Sequence, residues 1–309
     1  MRKTLGEIGE HEAVRRLVHL AGSARVPDDC AVLRLPTCTL VATTDILNEG
    51  QHFPRGASAE LIGWHSVAVT LSDIAAMGAR PLGLMMALSM PRSTELQFAE
   101  GLMAGARDCA ESCGTHVVGG DTKEGRELTI CTSGVGAVND GEPLMRNGVR
   151  EGDVLCHTGR IGRAALWQLR KDEACIEQML RFVPRVREGI ALQGLGATAC
   201  IDISDGLALS IHYLAEASEH GFEVKPKAIG FHNGLREEER QAALHLGGDY
   251  ELLFTVPKDR IGEMRRALAA LGTEVFEIGE VSGSKVIIEL DGRSVLLPRR
   301  GYEHFRGVE

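Results

Sequence analysis

No Walker A loop of the form G-x-x-x-x-G-K-[S/T] occurs in the 309 residues, which excludes an ordinary P-loop nucleotide site. The H-R-D and D-F-G blocks of protein kinases and the G-x-S-x-G nucleophile elbow are equally missing. Gly194-Leu195-Gly196-Ala197-Thr198-Ala199 fits the loose dinucleotide pattern, but it follows helix-like sequence and precedes a strand, the reverse of what that motif needs. Basic excess is lacking too. A formal charge of −9 argues against nucleic acid and membrane surfaces as partners. No apolar run approaches a membrane span, and Met1-Arg2-Lys3 leads into charged, amphipathic sequence, so a soluble, cytoplasmic protein is expected. The eight cysteines (Cys30, Cys38, Cys109, Cys113, Cys131, Cys156, Cys175 and Cys200) have none of the C-x-x-C spacing of a zinc site. They read as reduced, mostly buried small apolar residues. Repeats and low-complexity stretches are absent as well.

What the chain does have is acid in unusual company. Five separated segments set aspartate beside glycine or small residues: Val26-Pro27-Asp28-Asp29-Cys30, Thr43-Thr44-Asp45, Leu71-Ser72-Asp73, Gly119-Gly120-Asp121-Thr122 and Asp202-Ile203-Ser204-Asp205-Gly206. A single such Asp is ordinarily a solvated loop residue or a helix cap. Five of them beside apolar runs point elsewhere. Carboxylates drawn together repel, and must be protonated, paired or bridged by a cation. Oxygen ligands of this kind suit Mg²⁺, particularly where phosphates complete its shell. A magnesium-dependent enzyme acting on a phosphorylated substrate is the expectation.

With 44% hydrophobic residues the chain can bury a sizeable core and divide into two domains. Apolar spacing predicts helices over 6–20, 60–78 and 95–113, and short strands over 30–35, 39–44, 81–90, 117–118 and 128–138. The Gly-, Pro- and Asn-rich stretch 139–153 reads as a junction, which gives domains over 1–140 and 150–309. Alternation of elements resumes from residue 154 and continues to about 289. Both halves therefore belong to an α/β or α+β architecture.

Within that frame the acids take places. Thr43-Thr44-Asp45 closes an apolar strand, where hydroxyl and carboxylate oxygens converge. Asp73 lies in a helix whose neighbours are apolar or small, which makes a solvated-surface reading weak. Gly119-Gly120-Asp121 stands at a strand end, where backbone N–H groups can approach phosphate; a tight turn with a capping Asp is the plainer alternative. Strand alternation puts Asp202 and Ser204 on one face, and Asp205 is either a further ligand or a helix cap. His52 and Arg146 sit on polar, glycine-bearing loops.

Taken in order, these blocks resemble thiamine-monophosphate kinases. The resemblance is carried by Thr43-Thr44-Asp45 with Glu49-Gly50-Gln51-His52-Phe53, Gly63-Trp64 to Gly78, Gly119-Gly120-Asp121-Thr122, Ile203-Ser204-Asp205-Gly206-Leu207, Asp249-Tyr250-Glu251-Leu252-Leu253-Phe254-Thr255 and Gly301-Tyr302-Glu303-His304-Phe305. It covers nearly the whole chain, and several blocks extend to the wider aminoimidazole-ribonucleotide-synthetase superfamily. The resemblance implies an N-terminal α/β domain that builds a β-barrel across a homodimer, with a C-terminal α/β domain beside it. It implies several Mg²⁺ ions held by Asp29, Thr43, Thr44, Asp45, Asp73, Asp121, Asp202 and Asp205. ATP would meet Gly120, Asp121, Arg146 and Ser204, with Asp121 and Arg146 catalytic, and thiamine monophosphate would meet His52 and Tyr302.

Two departures stand out. Pro27 occupies a place where the family usually has Gly, which fixes φ and removes an N–H. The family's Gly-Gly-Glu-Asp-Tyr is here Leu246-Gly247-Gly248-Asp249-Tyr250, so the substrate-side Glu is missing and Gly248 stands in its place or a residue is deleted. Asp249 and Glu251 are candidates to replace it. That loss keeps two rivals open: a superfamily enzyme with a different acceptor, and a nucleotide-binding protein without turnover.

Overall fold

The computed structural model describes residues 3–21, 28–290 and 292–305, so the Val26-Pro27 step lies outside the described residues. In chain order the first half comprises α1 (Leu5–Leu20), β1 (Ala31–Arg34), β2 (Thr39–Asn48), α2 (Glu49–His52), α3 (Ala59–Ala76), β3 (Arg80–Met90), α4 (Leu96–Ser112), β4 (Val117–Glu124) and β5 (Thr129–Val138). The second half comprises β6 (Val154–Thr158), α5 (Arg163–Arg170), α6 (Ile176–Leu180), α7 (Val186–Gly194), β7 (Ala199–Asp202), α8 (Leu207–Ser218), β8 (Phe222–Val224), α9 (Glu237–Ala243), β9 (Leu252–Val256), α10 (Ile261–Ala270), β10 (Val275–Val281), β11 (Val286–Leu290) and β12 (Arg293–Leu296).

The strands form two mixed sheets. One runs β1-β2-β5-β3-β4, with only the β3–β4 pair parallel; the other runs β12-β11-β8-β10-β6-β9-β7, with only β8–β11 parallel. The expected mixed α/β class is borne out. Among the described residues the five-stranded sheet stays open, with β1 and β4 at its edges. No described helix is long and apolar enough to cross a membrane.

Helix α3 is the centre of the molecule. Its sequence is apolar or small on almost every side, so it is buried nearly throughout from Ile62 to Ala76. The Ser58 hydroxyl starts it by accepting from the Leu61 N–H at 3.3 Å. One side of α3 packs on β2 and β5, another on α4, and a third on α7 and β7. Leu71 and Ile74 are completely buried there, and truncating either to Ala costs about 2–5 kcal/mol. Asp73 is thus carried into the interior by the best-packed element of the fold. Segment 139–153 passes between the sheets but is no loose linker, since Leu144 and Val149 are buried and the Leu144 N–H bonds to the Met77 carbonyl.

Two strand boundaries correct the sequence reading. β2 does not end at Thr44 but continues to Asn48, because Ile46 and Leu47 prolong the alternation. Gly119-Gly120-Asp121 does not stand at a strand end; it lies in the middle of β4. Gly120 serves the sheet itself: a Cβ there would sit 1.8 Å from the Met86 carbonyl oxygen of β3. The cysteines are all free, four buried and four half-buried, so the mostly buried reading holds for half of them.

Candidate active site

The acids converge where α3 faces β2 on one side and β7 on the other. One carboxylate oxygen from each of Asp29, Asp73 and Asp202 lies within 4.8 Å of the others. Hydroxyls fix these side chains in turn. Thr43 donates to Asp73 Oδ2 at 2.6 Å, Ser72 to Asp202 Oδ2 at 2.7 Å, and Thr70 to Asp45 Oδ2 at 2.7 Å. Arg146 closes one side. Its Nη2 donates to Asp29 Oδ1 at 2.8 Å and its backbone N–H to Asp28 Oδ2 at 3.2 Å, while its guanidinium lies over the Tyr213 ring, 5.5 Å from the centroid.

Burial and mutual repulsion make the cluster an electrostatic trap. Burial pushes Asp202 up to about 7, with the Asp29 charge adding to it. Asp73 is driven well above its usual range by burial and by Asp45, Asp202 and Asp29, and Asp45 is raised by burial. Burial opposes the charge on Arg146, but Asp29 and Asp28 outweigh it and hold the guanidinium protonated. One arginine does not balance this many carboxylates. Clustered, rigid oxygen donors of this kind suit a hard divalent cation, and Asp29, Asp73, Asp202, Thr43 and Asp45 together fit Mg²⁺.

Other expected site residues fall elsewhere. Thr44 points to the opposite face of β2 from Asp45, as strand alternation demands, and its hydroxyl meets Ser133 Oγ at 3.0 Å. Asp121 is exposed and its carboxylate accepts from Lys123 at 2.9 Å. Register carries Asp45 to Thr132, Thr132 to Met86 and Met86 to Gly120, so three strand spacings separate Asp45 from the Gly120-Asp121 step. That is roughly 14 Å at about 4.8 Å per strand. Within one chain Asp121 does not join the buried acids. Ser204 and Asp205 follow β7 directly, and the Ser204 hydroxyl bonds to Asp202. Helix α8 starts at Gly206 with no side-chain cap, so the capping alternative for Asp205 fails; burial and Glu10 push its carboxyl up to about 7.

His52 and Tyr302 meet through a third ring. His304 lies 5.5 Å from His52 and 4.9 Å from Tyr302, centroid to centroid, and the Tyr302 N–H bonds to the Asp205 carbonyl at 3.0 Å. The carboxy-terminal block is thereby tied to the loop after β7. Beside His52 opens a cavity of about 360 Å³.

With this geometry in place, comparison with known proteins decides the family. Residues 27–138 match the family model described as AIR synthase related protein, N-terminal domain. A thiamine-monophosphate kinase of Methanospirillum hungatei is 42% identical over 287 residues, covering 92% of this chain and 95% of that one. Its counterpart from Halobacterium salinarum is 34% identical, with 90% and 96% covered. The chain belongs to the thiamine-monophosphate kinase family. Membership carries the enzyme class, a phosphotransferase acting on a thiamine phosphate. Among solved structures, AaThiL complexed with AMPPCP and TMP superimposes with a TM-score of 0.86 at 29% identity, covering 98% of this chain and 99% of that one.

The departure from the family pattern at Gly248 has a structural reading. Gly248 adopts φ +101°, and a Cβ there would come within 2.9 Å of the Ala164 side chain, so a residue with a side chain is strained at this turn. Arg163 pins the turn by donating to the Gly248 and Asp249 carbonyls at 3.1 and 2.8 Å. The two candidate replacements are both engaged elsewhere. Asp249 accepts from the Gly162 and Ala164 N–H groups at the start of α5, and Glu251 is held by Arg185 through two 2.7 Å bonds and by Thr158. Sequence reasoning missed Thr70, Ser72, Asp28 and His304. A usable signal was present for the first two, which both precede Asp73 closely in a helix otherwise short of hydroxyls.

Proposed function

We propose that this chain transfers the γ-phosphoryl group of ATP directly to the phosphate of thiamine monophosphate, giving ADP and thiamine diphosphate. The observation that carries the proposal is the Asp29–Asp73–Asp202 cluster, with Asp29 and Asp202 buried and Asp73 half-buried, flanked by Arg146. An acceptor phosphate oxygen bonds to the γ-phosphorus, in line, as the bond to the β–γ bridging oxygen breaks. That acceptor is already anionic near neutral pH, so no strong base is needed and no phospho-enzyme is invoked. The barrier lies in bringing anions together and aligning them.

Asp29, Thr43, Asp45, Asp73 and Asp202 would hold Mg²⁺, with Asp205 as a further ligand, whereas Thr44 and Asp121 share the opposite face of the five-stranded sheet and would contribute ligands only from that side, across the proposed dimer. Bound magnesium supplies charge neutralisation between the carboxylates and the phosphates. The chain's own residues do the rest. Thr43, Thr70 and Ser72 fix the carboxylates before substrate arrives. Arg146 donates to nucleotide phosphate oxygens from the edge of the cluster, with Gly120, Asp121 and Ser204 as further nucleotide contacts. His52 and Tyr302 orient the acceptor.

The same reading takes the chain as a cytoplasmic homodimer with domains over 1–140 and 150–309, its N-terminal sheets closing a barrel together. Two facts speak for the dimer. Ile46, Met85 and Val118 leave the outer face of the five-stranded sheet apolar and exposed. Asp121 stands on that same face beside Ala87, remote from its own chain's acids, so a second copy is the natural route to a shared site. Purified protein with Mg-ATP and thiamine monophosphate should yield thiamine diphosphate on chromatography, dependent on both Mg²⁺ and ATP. Absence of product while Mg-ATP still binds would refute the proposal.

A further inference from the structure

We propose that Tyr213 is a positioning residue for Arg146, and that helix α1 locks Tyr213 in place through His11. The inference rests on Arg146 being a contact to nucleotide phosphate, as proposed above.

The guanidinium of Arg146 is fixed from two directions. Asp29 accepts from Nε and Nη2 at 3.3 and 2.8 Å, and the Tyr213 ring lies against the guanidinium, its centroid 5.5 Å from Cζ. A guanidinium on an aromatic face donates only within its own plane, so the ring decides where its remaining N–H groups aim. Asp29 is also one of the three clustered acids, and its carboxylate is drawn both ways. The ring supplies a second hold that does not depend on it. Tyr213 stands on α8, which packs directly on the turn Arg146–Gly148. Arg299 lies over the same ring, 5.8 Å from its centroid, and is tied back to α8 by donating to Glu216 at 2.7 Å.

The far side of Tyr213 belongs to α1. The Tyr213 hydroxyl bonds with His11 Nε2 at 3.2 Å, and the two rings meet edge-on with centroids 5.7 Å apart. A break in the helix sets the place of His11. Gly9 adopts φ +75° and ψ 173°, a conformation open in practice to glycine alone, and interrupts α1 just before Glu10 and His11. The two residues after the break serve different parts of the site. His11 takes Tyr213, whereas the Glu10 carboxylate accepts from the His304 N–H at 2.9 Å, in the block that carries Tyr302. Helix α1 thereby ties the arginine end of the site to the acceptor end.

The test is a double-mutant cycle on Mg-ATP affinity, measured by calorimetry without acceptor and paired with transfer assays on thiamine monophosphate. Tyr213→Leu should weaken Mg-ATP binding about 10-fold, the upper range of a desolvated cation–π contact, and raise the KM for ATP with little change in the KM for thiamine monophosphate. In an Arg146→Gln background the same change should cost less than about 2-fold, because the contact it removes is already gone. Tyr213→Phe keeps the ring and should stay within about 3-fold of wild type, the loss of one hydrogen bond. His11→Ala should match Tyr213→Phe and add nothing to it, since both remove that same bond. Equal losses from Tyr213→Leu in the two backgrounds would make it a packing residue and overturn the inference. Additive losses from His11→Ala and Tyr213→Phe would overturn the part assigned to α1. Coupled losses in Mg-ATP binding without any transfer would uphold the inference and overturn the phosphoryl-transfer proposal. Unchanged affinity in both Arg146→Gln and Tyr213→Leu would overturn the inference together with the place of Arg146 at the nucleotide.

Discussion

Asp73 and Asp121 are the same residue in the same proposed role, yet their surroundings are opposite. Asp73 is held inside the molecule by Thr43 and crowded by Asp29 and Asp202, whereas Asp121 lies on an exposed strand with Lys123 beside it. Burial prepares the first for its proposed function: the carboxylates repel, so a cation would be favoured there before any nucleotide arrived. Exposure leaves the second waiting for something to be brought to it. In the proposed dimer, one half of the site is built by one chain and the other is completed by the second.

The contrast can be broken most severely at its buried end. Asp73→Asn should cut turnover by about 10³-fold, the scale for losing a central electrostatic group. It should also raise the melting temperature of the metal-free protein at pH 8, because a neutral amide relieves repulsion from Asp45 and Asp202. A fall in both activity and stability would mean that Asp73 serves packing instead. Asp121→Asn should cost about 100-fold in turnover while leaving the melting temperature unchanged, since the side chain is exposed. Mixing that variant with Asp73→Asn under conditions of subunit exchange should recover activity if the halves come from different chains. No recovery would place Asp121 outside the site.

Proton linkage sharpens the comparison further. Asp45, Asp73, Asp202 and Asp205 all have folded-state pKa values raised by burial, to about 7 for the last two. A raised carboxylate favours the folded state at low pH and loses that contribution as pH climbs through its folded value. Metal-free protein should therefore lose stability from these groups between about pH 4 and pH 8, given unfolded values near 3.9. Mg²⁺ should restore it above pH 7, so melting temperatures with chelator and with Mg²⁺ should lie further apart at pH 8.5 than at pH 5.5. A constant gap would contradict the cluster's role. Ser72→Ala, the mildest change, removes one hydrogen bond to Asp202 and should cost about 1–2 kcal/mol of stability in thermal unfolding.

The buried half was the more legible one in the sequence. An Asp inside an apolar helix has few explanations; alternation, however, did not place Ser204, because β7 ends at Asp202 and Ser204 reaches it from the following loop. Alternation should have separated Thr44 from Asp45, but the run was read as a strand end, where side chains are free to converge. The same mistake was made at Gly120, whose smallness answers to the Met86 backbone in the neighbouring strand, a contact between distant segments that no local pattern announces. Asp249 and Glu251 looked free because their partners Gly162, Ala164 and Arg185 lie 66 to 87 residues away in the chain, and Thr158 lies 93 residues from Glu251. Local chemistry showed which residues could act; only the packing showed which were already occupied.

The most direct test of the central claim is a calorimetric titration of Mg²⁺ into nucleotide-free protein at pH 8, in wild type and in Asp73→Asn. If the buried acids form the cation site, wild type takes up the metal with release of protons, and the variant loses that binding together with its turnover. Equal metal uptake by the two proteins, with turnover intact in the variant, would contradict the claim.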